Sequence, residues 1–213
     1  MFHERLGEAV SGAVDRAERH VLAVRTAPRK EWATRDRILL EASQLFATHG
    51  FRGASTRQIA ERVGVRQPSL FKHFPSKRAM LAELTLYDML VPEHHAEAAA
   101  ATKGSAMDRF AGYAAWDLKW YRTMPFDLRC VTEQVVRSER LLGARRALNR
   151  WNESIGQIPR QGVASGEFSG TAVPFVPRVL ETMNWHTVQT KGASEQTVAD
   201  AVRFLLAATV EPA

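Results

Sequence analysis

Apolar residues recur along most of this chain at spacings of three and four, the period of an amphipathic helix. The strict alternation of a half-buried strand is absent. The first stripe, Leu6, Ala9, Val10, Ala13, Val14, Ala17, Val21 and Val24, predicts a helix that ends near Arg25-Thr26-Ala27-Pro28. A second stripe, Ile38, Leu39, Ala42, Leu45 and Phe46, stops at His49-Gly50, where glycine can take the left-handed cap conformation. Ser55 or Thr56 then caps a short helix, Arg57 to Val63, with Ile59, Ala60 and Val63 inward. Gly64 makes a tight turn, and a further helix runs from about Arg66 to Phe74 on the anchors Val65, Leu70 and Phe74. Pro75-Ser76-Lys77 ends it and starts the next. Helix, glycine-bearing turn and helix is the pattern of a helix-turn-helix.

The later stripes are longer. Ala79 to about Ala101 reads as one helix with a kink or break at Val91-Pro92. Further helices are expected over Ala106–Thr123, Phe126–Arg140, Gly143–Ala164, Phe175–Thr190 and Ser194–Thr209, with a turn region from Gly162 to Gly170. The fold class is therefore all-α. It divides into an N-terminal extension over 1–33, a three-helix helix-turn-helix domain over 34–80, and a C-terminal helical domain for ligand binding and dimerisation over 81–213.

The helix after Gly64 carries chemistry that fits DNA. Arg66, Gln67, Ser69, Lys72 and His73 face outward. Gln can bond an adenine edge in two places, Arg can do so with guanine, and Ser suits either. Pro68 sits in the first turn, where a missing N–H costs little, and offers an apolar face to a thymine methyl. Lys72, His73 and Lys77 cluster at the far end, in reach of phosphates. The competing reading of this face is a polar, solvated surface of an ordinary bundle.

Charge separates the two. Residues 1–80 hold 15 Lys and Arg against 8 Asp and Glu, whereas 81–213 hold 14 against 15. Basic charge concentrated on one domain is the footprint expected for a polyanion, double-stranded DNA here.

The string Thr56-Arg57-Gln58-Ile59-Ala60-Glu61-Arg62-Val63-Gly64-Val65, followed by Ser69-Leu70-Phe71-Lys72-His73-Phe74-Pro75-Ser76-Lys77, resembles the DNA-binding domain of the TetR family of repressors. The resemblance implies that the second helix of the pair enters the major groove. It also implies that Thr56, Arg57, Gln67, Pro68, Ser69, Phe71, His73 and Lys77 touch bases or phosphates. Phe71 departs from the tyrosine usual there, which removes a hydroxyl that would reach a phosphate. Arg66 replaces a small polar residue. Gly162-x-x-x-Gly166-Glu167-Phe168 resembles the end of a helix in the same family. The implied partners are an operator duplex, a small-molecule effector and a second copy of the chain, joined through the last two helices.

An aromatic series supplies the candidate effector site. Phe110, Tyr113, Trp116, Asp117 and Trp120 fall on or near one helix face, with Phe126, Trp151, Met183, Trp185 and His186 on neighbouring helices. Such rings enclose apolar molecules, and a carboxylate among them suits a cation. The competing reading is ordinary core. His94 and Glu97 stand three apart, but no further ligand cluster accompanies them, so no metal is expected.

The single cysteine, Cys130, forbids an intrachain disulfide, and no apolar run approaches the roughly 18 residues of a membrane span. No signal peptide is read at the N-terminus. Together these lead to an expected cytoplasmic location. Nucleophile elbows, phosphate loops and zinc-protease motifs are missing from the sequence, so neither enzyme activity nor a cofactor is expected. The expectation is a ligand-released repressor. The alternative is an architectural DNA-binding protein on the same fold.

Overall fold

The computed structural model describes residues 2–129, 131, 142–168, 170, 173–189 and 196. Among them every regular element is helical: α1 (Phe2–Thr26), α2 (Thr34–Gly53), α3 (Thr56–Val63), α4 (Gln67–His73), α5 (Lys77–Thr85), α6 (Val91–Ala101), α7 (Ala106–Thr123), α8 (Leu142–Ser165) and α9 (Val176–Gln189). The chain forms two compact units, Met1–Val91 with Met124–Arg145, and Pro92–Thr123 with Arg146–Ala213. These units divide the chain by packing, whereas the boundaries read from the sequence divide it by role. Cys130, most of the helix expected over Phe126–Arg140 and the one expected over Ser194–Thr209 lie outside the described residues.

In the first unit, α1 buries Val14, Ala17, Val21 and Val24. Its neighbours include Leu86–Leu90. His20 Nε2 lies 2.8 Å from Asp36 Oδ1, which pins α1 to the start of α2. The extra N-terminal helix is thus built into the unit's core.

The α2 stripe is buried as its spacing predicts, with Ile38, Leu39, Ala42, Leu45 and Phe46 inward. The helix passes the expected stop: Gly50 is non-helical, and one further turn carries the element to Gly53. Arg35 meets Glu83 through two hydrogen bonds (2.6 and 2.5 Å) and stands 4.3 Å over the Phe74 ring, joining α2, α4 and α5. Phe126 stacks on Tyr87 at 5.6 Å, and Ser43 Oγ accepts the Asp127 N–H at 3.0 Å, which seats that segment on the same core.

No break occurs at Val91-Pro92. Residues Leu86–Leu90 form a π turn instead, with the Val91 N–H bonded to Leu86 O. Proline lacks an N–H and its ring collides with the carbonyl four residues earlier. Widening the preceding turn removes that collision, so Pro92 enters α6 within its first turn.

The second unit packs Phe110, Tyr113, Ala114 and Leu118 of α7 with Trp151, Ile155 and Ile158 of α8, Phe168 and Leu180. The Gly162–Phe168 string has a local explanation here. A Cβ at Gly162 would stand 2.2 Å from the Phe168 ring, so only glycine admits that ring beneath the helix end. The Glu167 and Phe168 N–H groups then close on Gly162 O (2.7 and 3.2 Å). The Glu167 carboxylate accepts the Ala106 and Met107 N–H groups at 3.1 Å each, capping α7 from a distance.

Candidate nucleic-acid interface

The α3–α4 pair is fixed by contacts local in sequence. Ser55, of the two residues offered by the sequence, is the cap. Its Oγ accepts the Gln58 N–H at 3.1 Å, while its own N–H donates to Gln58 Oε1 at 2.9 Å, a capping box. At the other end Gly64 has φ 76° and ψ 32°. Its N–H bonds Glu61 O at 3.2 Å and the Val65 N–H bonds Ala60 O at 2.9 Å, the paired bonds of a Schellman motif. A Cβ on Gly64 would meet nothing within 4 Å. The requirement is therefore conformational: side chains with a Cβ resist this left-handed backbone.

The helix that follows is short. Leu70 is its buried anchor and Phe74 the next, at 0% and 1% exposure. Arg66, Gln67, Pro68, Phe71 and Lys72 are exposed, and Ser69 and His73 half-buried. Phe71 is 42% exposed, unusual for a large aromatic ring. Arg66 is the N-cap residue but makes no capping bond with its side chain, and a proline stands in the first turn. Gln67 Nε2 donates to Thr56 Oγ1 at 2.7 Å. This bond links the N-terminal ends of α3 and α4 and holds the Gln67 amide in one orientation. Arg57 pairs with Glu61 at 2.9 Å across one exposed turn. Such exposed pairs are worth well under about 1 kcal/mol, so Arg57 can exchange its partner at little cost.

Lys77 behaves differently from the expectation drawn from its position. Its Nζ donates to Phe51 O and Ala54 O at 2.5 and 2.6 Å and lies 4.6 Å from the Phe51 ring centre. Burial holds its pKa below the ordinary lysine value. The ammonium closes the loop between α2 and α3, using two of its three protons.

The second unit holds most of the aromatic series. Trp116 and Trp120 stack at 5.8 Å, Trp116 lies 3.8 Å from the His95 ring, and Trp151 Nε1 donates to the Tyr113 hydroxyl at 2.9 Å. Phe110 is core, edge-on to Phe168. Met183 lies partly buried against that core. Phe126 belongs to the first unit, and the Trp185 and His186 side chains lie outside the described part. Asp117 is fully buried and accepts Asn184 Nδ2 at 2.7 Å through Oδ2. Burial raises its pKa from 3.8 to about 7, against the opposing pull of Asn184 and, less strongly, of Tyr113. Sequence reasoning passed over Asn184 and His95. An amide inside an apolar helical stretch, which must find a partner once buried, was the signal for the first.

Among the described residues no cluster of three potential metal ligands occurs. No described helix is long and apolar enough to cross a membrane.

The class these features define is a helix-turn-helix module within an all-helical chain. Residues 38–84 match the model of "Bacterial regulatory proteins, tetR family". The chain is 44% identical over 50 residues to the tetracycline repressor protein class C of Escherichia coli, covering 24% of this chain and 23% of the relative. It is 37% identical over 67 residues to the HTH-type transcriptional activator FasR of Mycolicibacterium smegmatis, covering 32% and 27%. Among solved structures, the ketosteroid transcriptional regulator KstR2 of Mycobacterium tuberculosis superposes with a TM-score of 0.69 at 19% identity, over 84% of this chain and 96% of that one. Mycobacterium smegmatis AmtR gives 0.64 at 23% identity, over 86% and 98%. The chain belongs to the tetR family of bacterial regulatory proteins. Its sequence match spans about a quarter of the curated relatives' length, so beyond residue 84 the likeness is one of fold. The relatives are regulators, in agreement with the expectation that the chain is not an enzyme.

Proposed function

We propose that the protein is a transcription regulator, acting as a repressor, whose α4 reads an operator in the major groove. The observation that carries this is the exposed edge Arg66–Gln67–Pro68, set against α3 by the Gly64 turn and by the Gln67–Thr56 bond. Gln67 and Arg66 are the base readers. Thr56, Arg57, Ser69, Phe71, Lys72, His73 and Lys77 complete the surface toward bases and phosphates. Two copies joined through the last two helices would bind half-sites about 34–36 Å apart, or a multiple of that, on a near-palindrome. An effector held among the aromatic residues of the second unit releases the operator if it binds the DNA-incompetent state more tightly, since only differential affinity shifts such an equilibrium. The site of action is the cytoplasm.

Selection of genomic fragments by the purified protein at physiological salt tests the reading. An enriched near-palindrome is the expected result. Enrichment without a motif would reject sequence-specific regulation and reduce Gln67 and Arg66 to surface residues.

A further inference from the structure

The most unusual chemistry outside the DNA-reading helix lies in the second unit. Asp117 is fully buried and Asn184 nearly so, and they share one hydrogen bond of 2.7 Å. That bond uses one carboxylate oxygen and the amide nitrogen. Asp117 Oδ1 and Asn184 Oδ1 are left buried without a hydrogen bond of good geometry. Each is an acceptor on a residue already joined to the other, so the two orphans belong to one site. No lysine or arginine of the protein pairs with Asp117. A buried acceptor without a donor costs about 1–3 kcal/mol, and native proteins rarely tolerate two in one place.

The surroundings add a second constraint. Tyr113 and Trp116 stand on the helix that carries Asp117, one turn and one residue before it, and Trp120 follows within the next turn. Tyr113 does not supply the missing donor: its hydroxyl receives the Trp151 N–H and is directed to Pro92 O at 3.4 Å. Ring faces attract cations and give no comparable help to anions. An anion would also meet two bare acceptor oxygens.

We infer that this site takes an organic cation, an ammonium or amidinium group on an aromatic or apolar body. Its N–H donors would satisfy Asp117 Oδ1 and Asn184 Oδ1 while the body packs on Trp116 and Tyr113. Asp117 holds a proton near neutrality in the empty site. The cation supplies the counter-charge that lets the carboxylate ionise, so its attraction is to a full charge at low dielectric. The inference rests on reading the second unit as the effector domain and specifies the class of effector.

The test uses the full chain without DNA, with fluorescence quenching of its tryptophans as the readout. The probes are benzylammonium and naphthylmethylammonium, their alcohols, and the matching carboxylates. The ammonium ions should bind tighter than the alcohols by about tenfold, and the carboxylates weakest. Asp117→Asn should weaken ammonium binding by about thirtyfold or more and leave the alcohols within about threefold. Asn184→Leu, which removes the second acceptor, should act in the same direction. Binding of alcohols or carboxylates as tight as the ammonium ions overturns the inference. So does an equal loss for all three classes in Asp117→Asn, the mark of a merely structural role, and so does a failure of both ammonium ions to bind at millimolar concentration. Because no DNA is present, ammonium binding that leaves operator affinity unchanged rejects ligand release alone. Release by a neutral or anionic molecule with no cation binding rejects this inference alone.

Discussion

Replacing Lys77 by methionine separates a structural clamp from a phosphate contact. The substitution keeps the length of the side chain and deletes the ammonium that donates to Phe51 O and Ala54 O. A hydrogen bond from a charged group contributes about 1.5–3 kcal/mol, which sets a gross value of roughly 3–6 kcal/mol for two. Lys77 is only half-buried, so water can reach part of the freed carbonyl surface, and the cost falls to about 2–3 kcal/mol. Loss of the ammonium over the Phe51 ring adds about 0.5–1 kcal/mol at such a site. The carbonyls join α2 to α3, so the loss should be felt as easier opening of the whole α3–α4 pair. Amide hydrogen exchange across residues 55–75 should accelerate by about thirtyfold or more, the equivalent of 2 kcal/mol in local opening. Unchanged exchange would refute the clamp. The salt slope of DNA binding then reports on the third proton of the ammonium: a fall of about one in Lys77→Met shows that it also meets a phosphate.

Gln67→Ala should relax base preference at one operator position at a cost of about 1–3 kcal/mol, read by competition against single-base operator variants. Equal discrimination by both proteins would remove Gln67 from the readers. Asp117 supplies a pH signature in the protein alone. Its folded pKa of about 7 lies above the model value of 3.8, so between these pH values the folded state holds a proton that the unfolded chain has lost. That favours folding at low pH, and the advantage drains away as pH rises through the window. The full effect is on the order of 3–5 kcal/mol. Asp117→Asn should therefore flatten the dependence of urea-unfolding stability between pH 4 and about 7 and be the more stable protein above it. A wild-type profile that does not fall across this window would contradict the buried, unpaired carboxylate.

The helix-turn-helix was legible because its determinants are local. Ser55 and Gln58 cap α3 across three residues, and Gly64 closes it within one turn, so the order of residue types carries the geometry. Lys77 was not legible. The sequence shows a lysine after Pro75-Ser76 in a basic stretch, but its carbonyl partners stand 23 and 26 residues earlier, and only tertiary packing brings them there. Asp117 and Asn184 are 67 residues apart and present the same difficulty. Asp117 drew attention as a carboxylate among aromatic residues, whereas Asn184 drew none. Pro92 shows a subtler limit. Periodicity and the proline rule together indicate a disturbance near Val91, but the choice between a break and a π turn depends on the burial that keeps the helix continuous through Tyr87 and Met89.

The reading helix has seven residues, too few to persist in water by itself. Its position is therefore a property of the unit that holds it. Leu70 and Phe74 root it in the core, and Arg35 lies over Phe74 while bound to Glu83. Glu83 also accepts the Tyr87 hydroxyl at 2.9 Å, and the Tyr87 ring stacks on Phe126. Phe126 in turn meets Trp32 edge-on, in the segment between α1 and α2 that carries Arg29 over the Trp32 ring. A continuous path of packed and hydrogen-bonded side chains thus runs from the anchor of α4 to the N-terminal extension without using a residue that faces DNA. It follows that α1 and its basic linker belong to the apparatus that sets the stability of the reading helix. Contacts between Arg25, Arg29 or Lys30 and phosphates would add to that role, because the core positions that seat α1, Val14, Val21 and Val24, are buried whether or not DNA is bound.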